Sequence, residues 1–112
     1  MIIQIFGTKK CKDTQKAIRF FKERKVQIQL IDLTQKGMSK GEIKKVAGKL
    51  GIENLINKES HTFLKKGLKS ASYDGQEILF KYPEIMVTPV VRCGNKATVG
   101  FAPHAWKSLL DK

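Results

Sequence analysis

The chain has too little cysteine for a disulfide-stapled domain or a cysteine-built metal centre. Cys11 and Cys93 are the only two, they stand far apart, and neither His61 nor His104 lies near them in sequence. That usage fits a reducing compartment, so a cytoplasmic protein without a metal is expected. Long apolar runs are missing too. Nothing approaches the roughly 20 residues of a membrane span, and the first residues read as a short strand, not a charged leader. Arginine is scarce: of 22 basic residues, set against 10 acidic ones for a net charge of +12, only Arg19, Arg24 and Arg92 are arginine. Base-edge readers lean on arginine forks, and no aromatic residues interleave a basic stripe, so specific nucleic-acid binding is not expected. A solvated lysine surface that steers anionic partners fits better.

With 112 residues, no internal repeat and no low-complexity segment, one domain spanning 1–112 is expected, and a monomer. Residues 2–6 are apolar except Gln4, which suits a strand buried on both faces at the middle of a sheet. From Asp13 to Arg24, Thr14, Ala17, Ile18 and Phe21 recur at helical spacing and predict an amphipathic helix. Val26–Leu33 is β-branched and alternating, a second strand. Ser39 with Glu42 is a capping box for a helix through Ile43, Val46, Ala47 and Leu50 that Gly51 can end. Ile52–Lys69 reads as one or two short helices. Asp74 with Glu77 caps another helix that stops before Pro83. Met86–Cys93 then reads as a strand, Gly94-Asn95 as a tight turn and Lys96–Val99 as the returning strand, with Pro103 opening a last helix through Trp106 and Leu110. Trp106 shares a face with Leu109 and Leu110 and is expected in the core.

This order predicts an α/β protein with a thioredoxin-like fold: a mixed four-stranded sheet and a central helical insertion over approximately 38–82. The first strand, helix and second strand make a βαβ unit, whose functional groups belong at the strand's carboxyl end. Cys11 falls there, after Gly7-Thr8-Lys9-Lys10 and at the start of the first helix. Free backbone N–H groups and the positive end of the helix dipole favour a thiolate at that position. Lys9, Lys10 and Lys12 lie close in sequence, and Thr14 places a hydroxyl three residues on. The same features also suit a small, inert, half-buried thiol. In such a fold Thr88-Pro89 begins the hairpin strand, where a cis proline would face the cysteine; an ordinary trans edge-strand proline is the other reading.

Cys11-Lys12-Asp13-Thr14 after a first strand, Gly51-Ile52 before the central helices, Thr88-Pro89-Val90-Val91, and the later Val99-Gly100-Phe101 come in an order and spacing that resembles the arsenate reductase (ArsC)/Spx-like family of thioredoxin-fold proteins. The resemblance spans essentially the whole chain. It implies a redox function centred on Cys11, with Thr14 in place of the serine or second cysteine of relatives and Pro89 as the family proline. Thr14 cannot close a disulfide, which leaves a single thiolate that its hydroxyl could support. Glutathione-linked arsenate reductases in the family clamp the oxyanion with three arginines, at positions that match Asn57, Thr88 and Phe101 here. Efficient arsenate reduction is therefore not expected, although Lys58 or Arg92 could supply some charge. Spx-type regulators also carry an arginine before the proline, where this chain has Thr88.

Two functions follow from the resemblance. One is a thiol oxidoreductase in which Cys11 attacks a disulfide or oxidised protein thiol and a low-molecular-weight thiol such as glutathione resolves the product, with no bound cofactor. Lys9, Lys10 and Lys12 would attract such an anionic thiol. The other is a non-enzymatic regulator that contacts the RNA polymerase α-subunit. Cys93, at a strand end, is expected to be structural rather than resolving, and Arg92 is expected to face water.

Overall fold

The computed structural model describes residues 2–111. It forms two compact units: one is the chain through Asp32 together with Thr88 onward, the other Leu33–Val87.

The first unit is built on strands β1 (Ile2–Gly7), β2 (Gln27–Asp32), β3 (Val90–Cys93) and β4 (Lys96–Val99) in the order β2-β1-β3-β4. β1 pairs with β2 in parallel, while β1 with β3 and β3 with β4 are antiparallel. This is the mixed sheet of a thioredoxin-like fold. The apolar run Ile2-Ile3-Gln4-Ile5-Phe6 becomes an inner strand because neighbours cover both of its edges and its alternate residues face both sides. Ile3 and Ile5 pack with Val91, with Ala17 and Phe21 of α1 (Lys12–Glu23), and with Trp106 and Leu109 of the last helix, Pro103–Leu110. Trp106 is 1% exposed and closes this core, as its helical spacing predicts.

α1 ends in a Schellman motif. The Val26 N–H donates to the Phe21 carbonyl at 3.1 Å and the Lys25 N–H to the Lys22 carbonyl at 3.0 Å, with Val26 packed against the core cluster. The position that glycine usually fills is Lys25, at φ 56°. A side chain there crowds its own backbone, so the motif carries avoidable strain.

The second unit is helical: α2 (Lys40–Leu50), α3 (Ile52–Leu55), α4 (His61–Lys65) and α5 (Gly75–Lys81), with 3-10 turns at Leu68–Ser70 and Pro83–Ile85, so that Pro103–Leu110 is α6. Both hydrogen bonds of the Ser39–Glu42 capping box are made, and Gly51 ends α2 at φ 85°. Asp74 caps α5 through the N–H groups of Gln76 and Glu77. Ile43, Val46, Leu55, Phe63, Ile78, Leu79 and Ile85 are buried.

One strand is shorter than the pattern suggests. Met86 is apolar and buried but does not join β3; it bridges Ile56 antiparallel, and Val87 donates to the Leu55 carbonyl at 2.7 Å. The expected strand over Met86–Cys93 therefore begins at Val90, because a local partner takes the preceding backbone.

Replacing Lys25 by glycine relieves the left-handed strain and is expected to raise stability by up to about 1 kcal/mol, while Lys25→Val lowers it. The urea midpoints of the two variants against the parent check this.

Candidate active site

Cys11 is the residue at the N-cap of α1, in extended conformation (φ −78°, ψ 118°). Its N–H donates to the Thr8 carbonyl at 3.2 Å, and the Gln15 side-chain amide donates to the Lys9 carbonyl at 2.6 Å, fixing the loop from β1. The half-buried thiol donates to the Thr88 carbonyl at 3.6 Å. The Thr88–Pro89 peptide is cis. Pro89 is buried, and its carbonyl accepts from the Gly100 N–H at 2.9 Å, which holds the loop after β4 against the same segment.

Thr14 lies one turn into α1 and is fully buried. It fits only because residue 7 is glycine: a Cβ there would stand 2.6 Å from Thr14 Cγ2 and closer still to its hydroxyl. With the thiol protonated, the Thr14 hydroxyl has no hydrogen-bond partner among the described residues. A buried donor without a partner is unfavourable, and ionisation of Cys11 supplies one. Burial pushes the Cys11 thiol up, but the hydroxyls of Thr14 and Thr88 and the backbone N–H groups of Thr14 and Asp13 outweigh it and hold the pKa below its ordinary value. A nearby hydroxyl and two amides of the first helical turn thus prepare a thiolate.

The cations are arranged differently. Lys9, Lys10 and Lys12 are exposed side chains around the loop, and none figures among the groups that lower the thiol. Lys58 is in the helical unit, where it pairs with Glu53 at 3.3 Å. Arg92 is half-buried, opposite Gln4 in the β1–β3 register. Strand alternation puts it on the sheet face away from Ile3, Ile5 and Val91, which pack on α1.

The register also places Cys93. It follows Arg92 and so lies level with Ile3, whereas Cys11 comes after Gly7 at the opposite end of β1. Four residue steps along a strand are about 13 Å, and a disulfide needs Cα atoms within about 7 Å. Cys93 packs against the α1–α6 core instead. Among the described residues no group of three His, Cys, Asp or Glu side chains could hold a metal ion, and no helix is long and apolar enough to cross a membrane.

Gly7 escapes a reading of the sequence because its contact with Thr14 is steric and formed only when α1 folds onto β1. The aromatic surface made by Phe20, Phe101 and Trp106 escapes it as well, since the three come from separate segments.

Residues 6–109 match the ArsC family, and the chain belongs to it. No curated protein matches the chain significantly. Among solved structures, a YffB protein is 25% identical, with a TM-score of 0.86 over 96% of this chain and 98% of its own. An arsenate reductase from Vibrio cholerae is 17% identical, with a TM-score of 0.87 over 98% of each chain, a likeness of fold alone. A protein from Staphylococcus aureus is 25% identical, with a TM-score of 0.77 over 95% of this chain and 96% of its own.

Removing the Thr14 hydroxyl withdraws one of the groups that lower the Cys11 pKa. Thr14→Val is expected to move the midpoint of iodoacetamide alkylation of Cys11 to higher pH and slow alkylation at pH 7 by about tenfold, with Thr14→Ser close to the parent. The same linkage has a sign in stability. A thiol that ionises earlier in the folded state than in the unfolded one makes the fold more stable as pH rises between the two pKa values. Denaturation between pH 7 and 9 is expected to show that rise in the parent and its loss in Cys11→Ser.

Proposed function

We propose that this ArsC-family protein is a monothiol oxidoreductase that uses Cys11 as its nucleophile and a low-molecular-weight thiol such as glutathione as its reductant. The observation that carries this reading is the buried Thr14 hydroxyl, which has no partner beside the protonated thiol and is among the groups that lower the Cys11 pKa. The Cys11 thiolate attacks one sulfur of a substrate disulfide, forming a mixed disulfide and releasing the other sulfur as a thiolate. A first glutathione thiolate attacks the Cys11 sulfur, frees the remaining substrate thiolate and leaves Cys11 glutathionylated. A second displaces Cys11 and departs as oxidised glutathione. The substrate disulfide gains two electrons and the two glutathiones lose them. Lowering the pKa raises the thiolate fraction at some loss of intrinsic nucleophilicity, which suits exchange near neutral pH.

Thr14 cannot act as a resolving thiol, and the strand register keeps Cys93 away, so resolution falls to an external thiol. Lys9, Lys10 and Lys12 offer exposed positive charge for the carboxylates of glutathione. Arsenate is a poor candidate, because Thr88 and Phe101 stand where the family resemblance sets two of three guanidinium clamps.

Oxidised glutathione is expected to give a single adduct, on Cys11, with no internal disulfide and with Cys93→Ser unchanged by mass spectrometry. Turnover of hydroxyethyl disulfide with glutathione is expected to vanish in Cys11→Ser and to exceed arsenate reduction by at least about a hundredfold. An internal Cys11–Cys93 bridge, or rapid arsenate reduction, would overturn the mechanism. Absence of turnover, together with retention of Cys11→Ser on immobilised RNA polymerase α-subunit, would replace the enzyme by a regulator.

A further inference from the structure

On the sheet-bearing unit, α1 and α6 leave a shallow groove of about 220 Å³. Phe20, Phe101, Pro103 and Trp106 line its floor, and Lys16 and Arg19 its rim. The rings meet edge to face, Phe20 with Trp106 at 5.5 Å and Phe101 with Trp106 at 5.6 Å. Phe101 nevertheless keeps 55% of its surface exposed. A ring held by Trp106 and the Lys16 ammonium and still half exposed is already ordered for a partner, so little entropy is lost when it is covered.

Size, charge and place narrow the occupant. Sites for drug-sized ligands enclose roughly 300–1,000 Å³; this groove holds about one bulky side chain, which suits an anchor residue of a polypeptide. Lys16 stands 4.9 Å over the Phe101 ring and Arg24 3.6 Å over that of Phe20, so cations border the apolar floor. Glu23 is the one acid lining it, against the exposed Lys12, Lys16, Arg19 and Lys22 of the same helix and a net charge of +12 for the chain. An acidic segment is complementary to that surface. Lys16 is the groove residue of α1 nearest to Cys11, about 7 Å along the helix axis. The loop carrying Phe101 is tied through Gly100 to Pro89, next to the carbonyl that receives the Cys11 thiol.

We propose that this groove holds the peptide flanking the cysteine of a protein disulfide, an acidic segment whose bulky apolar side chain seats on Phe101 while its sulfur reaches Cys11. The proposal rests on Cys11 as nucleophile and names its substrate class. The new bond joins Cys11 Sγ to the peptide's sulfur, the former partner sulfur leaves as a thiolate, and two glutathiones supply the reducing electrons as above.

Binding is read apart from chemistry with a fluorescein-labelled nonapeptide of Asp, Glu and Gly that carries serine in place of cysteine and leucine three positions away. Saturable binding to the full chain is expected, weakened about tenfold by Phe101→Ala and by Arg19→Glu, and absent when lysines replace the acids. Turnover of the cysteine peptide capped with glutathione is expected to fall in parallel in kcat/KM, by at least about threefold more than hydroxyethyl disulfide turnover falls in the same variants; equal falls for both substrates would overturn the groove. No saturable binding, equal binding by the parent and both variants, or a dimer in sedimentation that Phe101→Ala dissolves would overturn the groove while leaving the nucleophile intact. Failure of the parent to turn over hydroxyethyl disulfide would overturn the nucleophile, and the proposed substrate with it.

Discussion

Because residue 7 has no side chain, Thr14 can lie against the end of β1, and the first turn of α1 begins where the strand stops. Everything the candidate site does follows from that seat. It buries a hydroxyl that the protonated site leaves without a partner, sets Cys11 at the cap of the helix, and leaves the N–H groups of Asp13 and Thr14 to act on the sulfur. Opposing effects meet at this one atom. Desolvation alone would raise the thiol, as it does for an inert buried cysteine, and only the combined hydroxyl and amide donors reverse the direction. The electrostatics come from short-range donors held rigidly, which salt screens far less than it screens exposed lysines.

The sheet register sets the second constraint. With Phe6 opposite Val90 and Gln4 opposite Arg92, β3 runs away from the site from its first residue. Thr88 and Pro89 stay at the reactive end, whereas Arg92 and Cys93 are carried toward the start of β1. The same antiparallel pairing that delivers the Thr88 carbonyl to the thiol therefore withdraws the only other cysteine and the nearest arginine of that strand. Strand direction as much as composition thus separates Cys11 from Cys93.

Much of this was legible in the sequence wherever the signal is local. The capping box of Ser39 and Glu42, the apolar spacing of α1, the Gly94-Asn95 hairpin and the placing of Trp106 depend on residues within a turn or two of one another, and each forms as its pattern predicts. Strand length was less legible, because whether Met86 pairs with the sheet or with Ile56 depends on a partner thirty residues away. Two site features needed three dimensions: the fit of Thr14 over Gly7, and the ring cluster of Phe20, Phe101 and Trp106. Proximity in sequence is a weaker guide for the lysines: Lys9, Lys10 and Lys12 flank Cys11 as exposed side chains, and none is among the groups that lower its pKa.

Phe101 joins these strands of reasoning. A guanidinium at that place would offer a fork to an oxyanion; a phenyl ring packed on Trp106 offers none, and it presents an apolar surface instead. The ring is not among the groups that lower the Cys11 pKa, which are the hydroxyls of Thr14 and Thr88 and the N–H groups of Thr14 and Asp13. On the proposed reading, activation and recognition fall to different residues on one scaffold: the strand-to-helix junction holds the thiol, and the loop after β4 carries the aromatic surface. A scaffold that keeps the first and varies the second could retain its chemistry while what it holds near the site changes.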